Sequence, residues 1–250
     1  MLGKDIRLSR IFKSGKSVLV PMDHGVTMGM IKGLENMNKT FEETLFHGVD
    51  SVVLHRGLIK NYYKQLIRAN VGTIMHLSAS TDMGNLAEYK VLTGSVYDAV
   101  SYGCDGVSIH VNIGSKYESE MIRDFSKISS ECDKYGMPLL VMLYPRGEGV
   151  DSSDINNIKH VARIGLELGA DMIKIPYISN ENIFRELINN TPIPVLVAGG
   201  DKQDEEHVLN MVKSAMTCGA KGVSIGRNIF QSDNKKILIQ KINRLVHLSE

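Results

Sequence analysis

Apolar residues fall into two alternating patterns along the chain. Short runs rich in Val, Ile and Leu read as buried strands at 17–22 (SVLVPM), 51–55 (SVVLH), 73–77 (TIMHL) and 106–110 (GVSIH). Four more follow at 139–144 (LLVMLY), 171–175 (DMIKI), 194–198 (PVLVA) and 222–226 (GVSIG). Between them lie longer segments of helical periodicity, predicting helices at about 36–47, 57–69, 94–102, 117–135, 154–168, 180–190, 204–218 and 233–248. Strands that alternate with helices signal a parallel sheet. About eight such units in 250 residues predict an α/β chain closed into a (β/α)8 TIM barrel, one domain over residues 1–250. An open doubly wound sheet would show the same alternation.

The strand entries share a punctuation. Gly48-Val49-Asp50, Gly103-Cys104-Asp105-Gly106, Gly169-Ala170-Asp171 and Gly219-Ala220-Lys221-Gly222 each end a helix on glycine and lead into a strand. Residues 78–93 (SASTDMGNLAEYKVLT) are the least regular and read as a loop over the barrel mouth. The first sixteen residues suit a short helix covering the barrel bottom. No linker rich in Pro, Gly or Ser divides the chain.

Composition narrows the function. Hydrophobic residues form 43% of the chain, enough for a sizeable core. A net charge of +1 lacks the clustered basic excess of a nucleic-acid footprint. Cys104, Cys132 and Cys218 are odd in number and form no CxxC pair, which predicts reduced thiols. The N-terminus lacks the apolar run of a signal peptide, and no stretch has the length of a membrane span. A cytoplasmic protein without nucleic-acid or membrane partners is expected.

Barrel chemistry sits at the C-terminal ends of the strands. On the predicted strands those ends carry Asp23 and His24, His55 and Arg56, His76, His110, then Tyr144, Pro145 and Arg146. Lys174 lies inside the sixth strand, between Ile173 and Ile175. Lysine is rarely buried without cause. Either it snorkels to the mouth or pairs with a carboxylate, or it is a nucleophilic amine. The amine attacks a carbonyl only when neutral, so desolvation and cations such as Arg146 or Arg227 would have to favour that form. Tyr144 suits proton transfer, or else is a core tyrosine with a satisfied hydroxyl. Asp23 suits it too, or else caps a turn. Gly199-Gly200 and Gly226-Arg227 follow strands seven and eight, the usual phosphate site of such barrels, although glycines there also permit tight turns. The histidines His24, His55, His76 and His110 raise the alternative of a zinc enzyme. Each stands alone in its strand and no HxH or HExxH pair occurs, so no metal or other cofactor is expected.

The segments RLSRIF, VPMDHGV, IKGL, VSIHVNIGS, MPLLVMLYPRG, LELGADMIK, VLVAGGDK and GVSIGRNIFQSD carry a family resemblance. Together they resemble the class I aldolases of the archaeal fructose-bisphosphate aldolase group. Within it they are most similar to the branch of 2-amino-3,7-dideoxy-D-threo-hept-6-ulosonate synthases. The resemblance implies a Schiff-base lysine at Lys174, a proton donor at Tyr144 and a proton acceptor at Asp23. It further implies that the stretch Asp23, His24, Gly25, Val26 and Thr27 lines the pocket with Pro145 and Arg146, and that Gly199, Gly200, Gly226 and Arg227 contact phosphate. It implies a phosphorylated sugar substrate, a small aldehyde acceptor and a homo-oligomer, often a decamer in the group. Departures cluster around the substrate: Thr27-Met28-Gly29-Met30 after VPMDHGV, Arg56 for a usual lysine, SASTDMG after strand three, and Asp201 for a usual proline. They leave the catalytic trio intact and put substrate identity in question. A fructose-1,6-bisphosphate aldolase and a non-catalytic phosphosugar-binding protein are the other readings.

Overall fold

The computed structural model describes residues 2–248. Eight parallel strands form the barrel: β1 (Ser17–Pro21), β2 (Ser51–Leu54), β3 (Gly72–His76), β4 (Gly106–Ile113), β5 (Leu139–Pro145), β6 (Met172–Ile175), β7 (Val195–Ala198) and β8 (Gly222–Ser224). Each pairs with its neighbour in the chain, and β8 pairs with β1 through Ser17 opposite Gly222. That last ladder closes the ring and excludes the open sheet. The outer helices are α1 (Met37–Thr44), α2 (Arg56–Ala69), α3 (Val96–Ser101), α4 (Glu118–Tyr135), α5 (Ile155–Glu167), α6 (Glu181–Asn189), α7 (Glu205–Thr217) and α8 (Lys235–His247).

Local chemistry explains where the helices begin. Asn36, Ser95, Asp154, Asn180 and Asp204 each accept the backbone N–H three residues ahead, satisfying a donor that the first helical turn leaves open. The core has two shells. Phe41, Phe125, Phe184 and Phe230 fill the layer between sheet and helices. Leu19, Val53, Ile74, Leu140, Met172 and Leu196 fill the barrel axis. An N-terminal helix (Leu2–Ile11) closes the bottom, as expected, by driving Ile11 and Phe12 into that axial cluster. It packs so closely that a Cβ on Gly72 would stand 2.7 Å from the Arg10 carbonyl oxygen.

The punctuation before the strands has a structural reason. Asp50, Asp105 and Asp171 are buried or nearly so, and each accepts the N–H of the first or second residue of the preceding strand. The bonds run to Val18 (2.7 Å), Thr73 (3.0 Å) and Leu139 (2.9 Å), in each case 32 residues back. His247, Arg10 and Lys4 hold the same carboxylates from below. Before β8 the corresponding residue is Lys221, and that clamp is absent.

Two expectations needed correction. β4 does not stop at 110 but continues to Ile113, so His110 lies within the strand. Residues 78–93 are not wholly irregular. Ser78–Ala79 and Val91–Leu92 form a small antiparallel ribbon, and the segment between them folds across the mouth. Among the described residues, no helix is long and apolar enough to cross a membrane.

Candidate active site

Inward-facing residues alternate along each strand, so β3, β4, β5 and β6 present His76, His110, Met142, Tyr144 and Lys174 towards one cavity. Its volume is about 470 Å3. Asp23, His24 and Thr27 reach it from the segment after β1, and His55 from the end of β2. Gly199, Gly200, Gly226 and Arg227 form the opposite wall after β7 and β8. The cavity therefore gathers all three catalytic candidates. Gly25, Val26 and Pro145 do not line it. Gly25 and Val26 belong to a short helix (His24–Met28) with Val26 exposed, and Pro145 is buried in β5. Arg56 stands apart from it as well, at the start of α2 and 3.7 Å from Asp98.

Lys174 is only 7% exposed, which excludes snorkelling into solvent. Among the described residues no carboxylate lies within 4.0 Å of its amine, which excludes an ion pair. Both structural explanations for a lysine at this place are therefore absent. Asp23 precedes the short helix but makes no capping hydrogen bond, so its carboxylate is left to the cavity. His76 Nε2 lies 3.6 Å and His24 Nδ1 3.4 Å from its oxygens. Burial opposes ionisation of Asp23. Coulombic attraction to His76, His24 and Lys174, whenever these carry a proton, outweighs it, and the carboxyl lies well below its ordinary range.

The histidines are held neutral. Burial lowers His76 to about 4 despite the nearby Asp23 carboxylate, and burial likewise lowers His24, His55 and His110. His76 Nδ1 is 2.8 Å from the Ser108 hydroxyl, and His110 Nε2 is 2.8 Å from Asn112 Oδ1. Asn112 in turn donates to the Glu88 carbonyl oxygen (2.7 Å), fastening the mouth loop to β4. Among the described residues no group of three or more His, Cys, Asp or Glu side chains is arranged to hold a metal ion. The Tyr144 ring packs against the tilted His110 ring (4.9 Å between centroids) and under the Arg146 guanidinium (5.3 Å). No hydrogen bond engages its hydroxyl among the described residues, contrary to a satisfied core tyrosine.

The wall beyond β7 and β8 is built on close approach. A Cβ on Gly226 would meet the Pro21 carbonyl oxygen and a His24 ring carbon, both at 2.8 Å. Gly200 adopts φ +65°, a left-handed conformation that side chains rarely tolerate. Asn228 is fully buried. It donates to the carbonyl oxygens of Gly199 (2.8 Å) and Asp201 (2.9 Å) and accepts from the Gln203 N–H (2.7 Å), which fixes this turn. Arg227 is paired with Asp201.

Residues 17–232 match the profile of the DeoC/LacD family aldolases. The chain belongs to the DeoC/LacD family of aldolases. The aldolase is 44% identical over 249 residues to 2-amino-3,7-dideoxy-D-threo-hept-6-ulosonate synthase 1 of Archaeoglobus fulgidus, covering 99% of this chain and 92% of that one. It is 38% identical to the 2-amino-3,7-dideoxy-D-threo-hept-6-ulosonate synthase of Halobacterium salinarum, covering 98% and 92%. Its fold is similar to a solved Schiff-base-forming fructose-1,6-bisphosphate aldolase, with a TM-score of 0.89 and 30% identity over 98% of this chain and 100% of that one.

Sequence reasoning missed several groups that this aldolase brings to its cavity. Lys90, Asp82 and Ser78 come from the mouth loop, whose path no periodicity reveals. Ser224 ends β8 with its hydroxyl buried and without a hydrogen-bond partner. It sat within GVSIG, where alternation with apolar neighbours marks it as inward-facing.

Proposed function

We propose that the chain is a Schiff-base transaldolase and that Lys174 is its nucleophile. The observation that carries this reading is a buried lysine without a counter-ion, sharing one cavity with Asp23 and Tyr144 in a DeoC/LacD aldolase. The neutral Lys174 Nζ adds to a ketose carbonyl and forms a carbinolamine. Tyr144 donates the proton with which the carbinolamine hydroxyl leaves as water, giving an iminium ion. Asp23, poised as carboxylate, takes the proton of the hydroxyl two carbons away as the carbon–carbon bond breaks. The bonding electrons pass to the iminium nitrogen. An aldehyde departs and an enamine stays on Lys174. The enamine then attacks a second aldehyde, and hydrolysis of the new imine frees the product and the amine.

The substrates follow from the relatives. A phosphorylated deoxyhexodiulose would supply the three-carbon unit and aspartate semialdehyde would accept it, the reaction of a 2-amino-3,7-dideoxy-D-threo-hept-6-ulosonate synthase. Identity of 44% over 99% of the chain supports this reading. Phosphate would rest against Gly199, Gly200, Gly226 and Arg227. The same reading takes the enzyme to be a cytoplasmic homo-oligomer, as the family resemblance implies. Fructose-1,6-bisphosphate cleavage is the second reading, favoured by the close backbone likeness to a solved aldolase of that activity.

The test is borohydride reduction in the presence of each phosphoketose, followed by mass mapping, beside assays of both reactions. The expected result is an adduct on Lys174 and condensation with aspartate semialdehyde. Fructose-1,6-bisphosphate cleavage alone would select the second reading. Ligand-induced thermal stabilisation without adduct or turnover would mean a binding protein and defeat both.

A further inference from the structure

The cavity has a second cationic side, across the barrel axis from the turns after β7 and β8. Lys90 approaches from the loop between β3 and α3, and Arg146 from the end of β5. Lys90 is only 9% exposed. Its ammonium donates to the Ser80 hydroxyl, and Ser80 is committed onward to the Ala87 carbonyl oxygen. Among the described residues no carboxylate lies within 4.0 Å of the Lys90 or Arg146 cations; Asp82 and Asp23 act on Lys90 only from farther away. A buried ammonium without an anion is costly. Burial, and then the positive Arg146, push the Lys90 ammonium below its ordinary range, as expected for two cations assembled without their counter-ion. The opposite side differs, because Arg227 is already paired with Asp201.

The loop that carries Lys90 is fastened rather than loose. Asn112 holds the Glu88 carbonyl, and the Asp82 N–H donates to the Thr27 carbonyl oxygen (3.0 Å). Lys90 is thus presented to the cavity by a braced segment, as a preorganised binding group requires. By strand order Lys174 on β6 lies between the two sides. A ketose attached to Lys174 with one end towards β7 and β8 directs its other end at Lys90 and Arg146.

We propose that Lys90, beside Arg146, selects the aldehyde that enters by binding the anionic group at its far end. This inference rests on the Schiff-base reading above and adds the acceptor class to it: the entering aldehyde, and the leaving one where the ketose bears a second phosphate, carries a distal phosphate or carboxylate. Lys90 is then a specificity residue.

Two probe pairs test it. Succinic semialdehyde against butanal differ by a terminal carboxylate as acceptors. Fructose 1,6-bisphosphate against fructose 1-phosphate differ by the distal phosphate in cleavage. The readout is the ratio of kcat/KM, with over without the distal anion, for the wild type, Lys90→Met and Lys90→Arg. In Lys90→Met at least one ratio should fall about tenfold or more, the scale of one charge-assisted hydrogen bond, and Lys90→Arg should recover it. A fall confined to the first pair identifies a carboxylate, and one confined to the second a phosphate. If Lys90→Met fails to fold, Arg146→Gln must lower the same ratio. Unchanged ratios in the folded variants overturn the inference while leaving the parent reading intact. Failure of the wild type to form a borohydride adduct on Lys174 overturns the parent reading.

Discussion

At the scale of single residues, the site depends on what surrounds each reactive group. Lys174 lacks both solvent and a counter-ion, Asp23 is spared from capping, and the Tyr144 hydroxyl is uncommitted while its ring is held by His110 and Arg146. These features predict distinct kinetic losses. Tyr144→Phe keeps the ring packing but removes the proton, so kcat should fall about 10²–10⁴-fold with little change in thermal stability. Borohydride trapping measured beside turnover locates the loss. Adduct accumulation on Lys174 should slow in parallel with kcat if Tyr144 serves dehydration, and an undiminished trapping rate would contradict that role. The three residues were legible because each sits at or inside a predicted strand end. Lys90 was not, because a loop lysine carries no periodic signal, and only the folded path of 78–93 reveals its burial. Arg56 looked equivalent to the others on the strand pattern. The helix that begins at that residue carries it outward to Asp98.

At the scale of elements, the alternation of short apolar runs with helical stretches located every barrel strand, because parallel strands buried on both faces must be apolar almost throughout. Boundaries drifted where an inward-facing polar residue interrupted that run. His110 and Asn112 made β4 look finished at 110, yet both point into the barrel mouth and the ladder with β5 continues to Ile113 opposite Pro145. The glycine-to-aspartate punctuation was visible as a repeat, while its role as a clamp on the preceding strand was not, since the bonded amide lies 32 residues away. Asp105→Ala should leave the Thr73 N–H without its acceptor and Arg10 without its ion pair, at a cost of about 1–3 kcal/mol. Urea unfolding is the measurement, and an unchanged midpoint would show that the clamp contributes nothing.

At the scale of the molecule, four histidines at the barrel mouth, buried or half-buried and held neutral, tie stability to pH. For His76 the folded state holds the ring at about 4 against an ordinary 6.5. Between these values the unfolded chain binds more protons than the folded one, so stability falls as the pH falls through that window and is constant with respect to this group above 6.5. His24, His55 and His110 are shifted in the same direction and add to the slope. Denaturation free energies measured at intervals from neutral to mildly acidic pH should show this decline. His76→Asn should flatten it by up to about 1.4 kcal/mol per pH unit. An identical slope in the variant would mean that His76 is already protonated in the native state.

The ring closes between β1 and β8, where Ser17 meets Gly222 and no aspartate clamp assists. Contact there is so tight that a Cβ on Gly222 would overlap the Ser17 carbonyl oxygen. During synthesis, Asp23, Tyr144 and Lys174 have all been made well before β8 emerges. They remain on an unfinished arc until the final strand docks against the first. Turnover by this protein would therefore report that the first and last strands have met, and a ribosome-bound chain still short of β8 would carry all three proposed catalytic residues in silence.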